Sequence, residues 1–115
     1  MRKITDNELF KFYIYTLNKC GLFLLNESDE IIGFNTFEEF DIGATTYLYK
    51  DNLNKLKDAG LISSDIVTKS LELREMFFAI QNSDKWNLKS VRTLPEWHKL
   101  FELSDEIKHM IACTL

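Results

Sequence analysis

Residues that interrupt regular structure are scarce in this chain. Its 115 residues include one proline and four glycines, whereas a β-sandwich or barrel needs many more for its tight turns. No apolar run is long enough to cross a bilayer, and the N-terminal residues lack the apolar stretch of a secretory signal. We therefore expect a cytoplasmic protein that is built from helices and has no part in a membrane.

Cysteine and histidine are equally scarce. Cys20 and Cys113 form no CxxC motif, and the two histidines are His98 and His109. On one helix these histidines lie about 16 Å apart, too far to share a metal ion. Glu106 and His109 have the Glu-x-x-His spacing of di-metal bundles, but such a site needs a second copy of the motif on another helix. We therefore expect no metal site and no cofactor.

Familiar catalytic and nucleic-acid-binding patterns are also missing. The sequence contains no phosphate-binding loop, dinucleotide fingerprint, or Ser or Cys nucleophile motif. Its 14 Lys and Arg residues are scattered among acids, so they form no basic stripe of the kind that direct nucleic-acid binders use. The sequence thus favours a protein that is not an enzyme and does not bind nucleic acid directly.

Basic residues are absent altogether from residues 26–41, which we call the acidic segment. This segment holds six carboxylates, while the net charge of the whole chain is −4. Such a local imbalance favours a positively charged partner, although charge runs also serve merely to keep a surface soluble. Phe34, Phe37 and Phe40 follow one another at three-residue steps and are expected to pack inward. The candidate partner-binding residues are Glu27, Asp29, Glu30, Glu38, Glu39 and Asp41.

The hydrophobic pattern predicts one helical domain that spans residues 1–115. The chain is long enough for one continuous core. Thr5 and Glu8 have the spacing of a capping box at the start of the first helix. Gly21 is expected to end the first helix in the left-handed conformation, and Gly60 is expected to end the second. Thr93 and Glu96 predict a second capping box before the last helix. The four main helices are predicted at about 6–20, 42–59, 64–80 and 94–111.

The segment between the first two predicted helices is ambiguous. Two short apolar runs, residues 22–25 and 30–34, are separated by turn-forming residues, and short runs do not reveal their secondary structure by periodicity. The segment is either a small hairpin or an extended crossover. The predicted fold class is therefore all-α: a single-domain bundle of about four main helices, with a small hairpin at 22–34 as one alternative.

Arg92 and His98 form an Arg-x5-His pattern. This pattern resembles the motif of the small all-helical HEPN ribonucleases, in which such a pair cleaves RNA without a metal by acid-base work and phosphate stabilisation. Here Pro95 separates the two residues, and Thr93 stands where that family usually has another polar residue after the Arg. A HEPN-like ribonuclease that uses Arg92 and His98 is the alternative function, and a helical adaptor protein is a third.

The last third of the chain carries several short motifs. They are Leu73-Arg74-Glu75-Met76-Phe77, Trp86, Leu94-Pro95-Glu96-Trp97 and Leu103-Ser104-Asp105-Glu106-Ile107. Over about residues 70–110 this pattern resembles the immunity proteins of bacterial contact-dependent growth inhibition and related polymorphic toxin systems. The resemblance implies a cytoplasmic, non-enzymatic inhibitor of one cognate toxin domain, very often a nuclease. The acidic segment would then face the basic substrate-binding surface of that toxin.

Overall fold

A computed structural model of the chain describes residues 4–114, and for Thr114 only the backbone. Over these residues every regular element is helical and no strand is present, which confirms the all-α class. The elements are α1 (Asp6–Leu17), a 3-10 turn (Leu22–Asn26), α2 (Asp29–Gly33), a π-turn (Phe34–Glu39), α3 (Phe40–Thr46), α4 (Lys50–Asp58), α5 (Ser64–Gln81), α6 (Leu88–Thr93) and α7 (Pro95–Thr114). Because α2, the π-turn and α3 follow one another without a break, the described chain has six helices rather than about four.

The core is assembled around α5 and α7, which form the most extensive helix pair. Trp97 of α7 and Phe77 of α5 are fully buried, and Phe77 meets Phe40 of α3 edge to face at 4.8 Å between ring centroids. Tyr13 brings α1 into the same core, where its hydroxyl lies 2.7 Å from that of Ser70. These buried rings remove large apolar areas from water and so supply much of the driving force for folding.

The segment at 22–34 forms neither a hairpin nor an extended crossover. Leu22–Asn26 is a 3-10 turn that buries Leu24, and Asp29–Gly33 is helical. The reason is local, because the Ser28 hydroxyl accepts a hydrogen bond from the Ile31 amide at 3.3 Å and caps the new helix. Short apolar runs fit a helical turn as well as a strand, and here the cap decides between them.

Several predicted helix ends differ from the structure. The capping box of Thr5 and Glu8 is present, but α1 ends at Leu17, and Gly21 is extended rather than left-handed. A Cβ atom at Gly21 would lie 2.5 Å from an Asp105 carboxylate oxygen and 2.9 Å from the Lys108 Nζ atom, so these two side chains would have to move to make room. Thr93 ends α6 instead of capping α7, and its hydroxyl donates to the carbonyl oxygen of Lys89.

The predicted helix at 42–59 is interrupted. Helix α3 ends at Thr46 and α4 begins at Lys50, and the Asn52 side-chain amide bridges the break by donating to the Thr46 carbonyl oxygen at 2.6 Å. The end of α4 follows the prediction, since Gly60 has a φ of 78°, the left-handed conformation that glycine adopts most readily.

Helices α1 and α3 cross at unusually close range. Gly43 of α3 is buried against Thr16 of α1, and a Cβ atom at position 43 would overlap the Thr16 side chain. The absence of a side chain at Gly43 lets the two backbones approach each other. This crossing fixes α3, and with it the acidic segment, against the rest of the bundle.

A candidate protein-binding surface on the acidic segment

The buried residues of the acidic segment and α3 recur at every fourth position. Ile32, Thr36, Phe40 and Ala44 are all buried. In a regular α-helix three such steps would turn the buried side by about 120°. The π-turn holds one extra residue, which cancels most of this rotation. Its hydrogen bonding shows the extra residue, because the Phe40 amide donates to the Asn35 carbonyl oxygen, five residues back. The π-turn thus keeps one side of an 18-residue helical stretch against the core.

The same spacing aligns an outward row of side chains, which we call the ridge: Glu30, Phe34, Glu38 and Ile42. All four are exposed, and the exposed fractions of Phe34 and Ile42 reach 50% and 63%. Acidic and apolar side chains therefore alternate along one face of the helix. Large apolar side chains that are aligned on one exposed face can serve as anchors for a partner.

The three phenylalanines of the acidic segment have different environments. Phe40 is buried, and Phe37 is half-buried against Trp86, with 4.8 Å between the ring centroids. Phe34 lies on the ridge, so the prediction that it packs inward is wrong. The three-residue spacing suggested a single face, but the π-turn between Phe34 and Phe40 changes the angle per residue.

Three of the six carboxylates have partners within the chain. Asp29 forms an ion pair with Arg92 at 2.7 Å, and one oxygen of Asp41 accepts from the Gln81 side-chain amide at 3.1 Å. Glu39 accepts a hydrogen bond from the Tyr15 hydroxyl at 3.3 Å. These contacts hold the acidic segment to α6, α5 and α1 and use up part of its hydrogen-bonding capacity.

The other three carboxylates are Glu27, Glu30 and Glu38. None of them has a side-chain hydrogen bond or ion pair with the residues at 4–114 that the structure describes. Glu30 and Glu38 are also exposed, so their charge is available to a partner. The structure thus divides the six candidates into three that are held inside the chain and three that are not, two of which lie on the ridge.

Arg92 supplies a basic group that the sequence of the acidic segment lacks. Besides the pair with Asp29, its guanidinium donates to the carbonyl oxygens of Glu27 at 2.9 Å and Leu25 at 3.5 Å. We call this set of contacts the Arg92 clamp. It joins residues more than 60 positions apart and holds the segment that leads into α2. The sequence around residues 26–41 contains no signal that predicts it.

Exposed aromatic residues of α1 extend the surface beyond the acidic segment. Tyr15, with 48% of its surface exposed, reaches Glu39, and Phe12 stacks on Tyr47 with 5.2 Å between ring centroids. Sequence reasoning did not identify these residues as exposed, because apolar positions cover most of the circumference of α1. Their alternation with Lys11 and Lys19 was the available signal for an outward face.

Arg92 and His98 are in contact, but their two side chains are not. The His98 Nε2 atom lies 3.2 Å from the carbonyl oxygen of Arg92, while the guanidinium is turned toward residues 25–29. The contact between the two residues is thus made by the backbone of Arg92. This geometry gives Arg92 a structural role and offers no support for the paired acid-base work of a ribonuclease.

No group of three or more His, Cys, Asp or Glu side chains suited to a metal ion occurs between residues 4 and 114. Within the same residues, no helix has both the length and the apolar character needed to cross a membrane. Comparison of the chain with protein-family models, with curated proteins and with solved structures gave no match.

Proposed function

We propose that this chain is an immunity protein that binds a cognate bacterial toxin domain in the cytoplasm and blocks it without catalysing a reaction. The observation that carries the proposal is the ridge, where exposed carboxylates without internal partners alternate with exposed apolar side chains. The resemblance of residues 70–110 to immunity proteins supports the same function. A nuclease is the toxin class that fits best.

The electrostatic argument favours a basic partner. Glu30 and Glu38 lie on the ridge, and Glu27 lies just before α2. Asp29, Glu39 and Asp41 add to the negative potential although their side chains are held by the chain. A nuclease has a basic surface for phosphate, and complementary potentials accelerate encounter and select the partner. An inhibitor with this surface would occupy or flank the substrate site of such an enzyme.

The apolar residues of the ridge supply what charge alone does not. Rim charges mainly affect the association rate, whereas residence time depends on buried apolar anchors. Phe34 and Ile42 are large and exposed and alternate with acids, so they can act as apolar anchors between charged contacts. The ridge thus combines the features required for fast and lasting inhibition.

The proposal is tested by co-expressing the chain with a toxin domain encoded directly upstream of its gene, where the gene neighbourhood contains one. We expect growth to be rescued and a stable complex to be recovered. Glu30→Lys together with Glu38→Lys should slow association at least tenfold at low salt and much less at high salt, because salt screens exposed charges.

Glu72→Lys with Glu75→Lys is the matched control, since both residues are exposed acids on α5 and the change in net charge is the same. The control should leave the association rate near that of the wild type. If growth is rescued and the charge reversal on the ridge has no effect, the interface lies elsewhere on the chain. If growth is not rescued and no complex forms, the immunity function is refuted.

A further inference from the structure

The ridge has a regular spacing that specifies more than the sign of its partner's charge. Its acidic and apolar residues alternate at four-residue steps along one helical face, and rows of residues four apart are the ridges that pack into the grooves of another helix. Glu30 and Glu38 lie about 12 Å apart along the axis, at a rise of about 1.5 Å per residue. A second helix has about the same rise per residue, so the residues along one of its faces can meet successive side chains of the ridge.

We infer that the ridge docks a basic amphipathic helix, in which Lys or Arg alternate with Leu-like residues along one face. This inference deepens the proposed function, because it names the element of the partner that the same surface recognises. Glu30 and Glu38 pair with the basic residues, while Phe34 and Ile42 enter the apolar positions between them.

Charge decides among the possible occupants. A second copy of the chain would set the acidic segment, which has no Lys or Arg, against the same acids and would be repelled. Nucleic acid and anionic membranes carry the same sign of charge and are repelled as well. A basic helix is attracted by the carboxylates and also covers the apolar residues that water otherwise contacts.

The test uses a synthetic 18-residue helical peptide in which Lys and Leu alternate along one face at steps of three or four residues, added to the isotope-labelled full chain. We expect amide shifts in the NMR spectrum to concentrate at 29–46. Phe34→Ser with Ile42→Ser should weaken binding at least tenfold, because two apolar anchors are lost. Both residues are exposed, so the fold should persist, and circular dichroism checks this.

Two controls separate the apolar and the charged contributions. A peptide in which Leu is replaced by Ser keeps the charge and should bind at least tenfold more weakly. Leu22→Ser removes an exposed apolar residue outside the ridge and should leave binding unchanged. Shifts that appear instead at the groove between α1 and α7, lined by Phe10, Ile14 and Ile111, or no binding at all, overturn the inference.

The outcome is independent of the toxin experiment. Peptide capture on the ridge by a chain that rescues no growth would support the docking surface and refute the immunity function. Growth rescue by a chain whose ridge does not bind the peptide would support the immunity function and refute the docking surface. A dimer in sedimentation experiments that Phe34→Ser converts to monomer would identify a second copy as the occupant and would also overturn the inference.

Discussion

Thr36 has a hydroxyl oxygen that is buried within the described chain and has no hydrogen-bond partner there. Thr36 is buried on the same side of the helical stretch as Ile32 and Phe40. A buried hydroxyl without a partner costs free energy that a methyl group of the same size does not. We expect Thr36→Val to raise the free energy of unfolding by about 1 kcal/mol, measured by urea denaturation.

Thr16→Val is the matched control for this substitution. Thr16 is buried as well, but its hydroxyl donates to the Phe12 carbonyl oxygen at 2.9 Å. Its replacement should lower the free energy of unfolding by about 1 kcal/mol, because a made hydrogen bond is lost. A loss of stability in both variants would mean that the Thr36 hydroxyl does have a favourable contact.

Substitutions of Arg92 test whether its side chain has a structural or a catalytic role. Because the Arg92 clamp holds Asp29 and the carbonyl oxygen of Glu27, we expect Arg92→Ala to lower the free energy of unfolding by about 1 to 2 kcal/mol, limited by the exposure of the ion pair. Arg92→Lys should recover little of the loss, since an ammonium group cannot fork between several acceptors.

The ribonuclease hypothesis makes a different prediction for the same position. It requires RNA cleavage by the purified protein that Arg92→Ala and His98→Ala both abolish while the fold remains intact. Unchanged stability in Arg92→Ala, together with such a loss of cleavage, would contradict the clamp. Stability lost with no cleavage to lose would leave only the structural role.

At this scale the sequence could reveal the carboxylates but not their partners. The six acids and the lack of local bases are evident in residues 26–41. The ion pair of Asp29 with Arg92 and the hydrogen bond of Asp41 with Gln81 join positions that only the tertiary fold brings together. The negative charge of this surface could therefore be predicted from the sequence. Which carboxylates have partners within the chain could be learned only from the structure.

Two helical glycines provide a test of how the elements pack. Gly43 is buried against Thr16, whereas a Cβ atom at Gly33 would meet nothing within 4 Å. We expect Gly43→Ala to lower the free energy of unfolding by about 1 to 3 kcal/mol, because the crossing of α1 and α3 must open. Thermal and urea denaturation both measure the change.

Gly33→Ala should have the opposite sign. The residue has helical φ and ψ angles of −59° and −48°, and alanine is favoured over glycine inside a helix by about 0.5 to 1 kcal/mol. Opposite signs at two glycines of the same helical stretch would separate packing from propensity. Equal stabilisation by both alanines would show that the crossing has room for a side chain.

Helix boundaries could be predicted where a local signal set them. The capping box at Thr5 and Glu8 and the left-handed Gly60 depend on residues that are neighbours in sequence, and both are present. Phe34 could not be placed by the same reasoning, because the π-turn follows from the whole four-residue pattern that reaches Ala44. The break after Thr46 likewise depends on the path that α3 and α4 take around the core.

Two buried ionisable groups link the stability of the whole molecule to alkaline pH. Burial raises the pKa of Tyr13 from 10.0 to about 12 and that of the Cys20 thiol from 9.0 to about 12. Between pH 9 and 12 the unfolded chain therefore releases protons that the folded chain keeps. We expect the free energy of unfolding to fall as pH rises in this range, by up to about 1.4 kcal/mol per pH unit for each group.

Denaturation curves at pH 8, 10 and 11 measure this dependence. Tyr13→Phe loses the hydrogen bond with Ser70 at every pH, but its stability should depend less steeply on pH above 10. A Tyr13→Phe slope as steep as that of the wild type would show that Tyr13 ionises as readily in the folded chain as in the unfolded one.

The fold class of the whole molecule was the most accessible property of its sequence. Few glycines, a single proline and helical periodicity were enough to predict an all-α chain, because these signals accumulate along the sequence. The ridge was less accessible, since exposed apolar residues such as Phe34 and Ile42 have the same composition as core residues. Composition shows how much apolar surface exists, and only packing shows which part remains uncovered.

The π-turn also has a consequence for how this surface can change over evolutionary time. A π-turn holds one residue more than an α-helical turn, so loss of one residue between Phe34 and Glu39 would restore ordinary hydrogen bonding and leave the buried sides of α2 and α3 in place. The chain can thus vary in length at the very point where it faces outward. A single insertion or deletion at this point would change the surface that a partner contacts and leave the hydrophobic core unchanged.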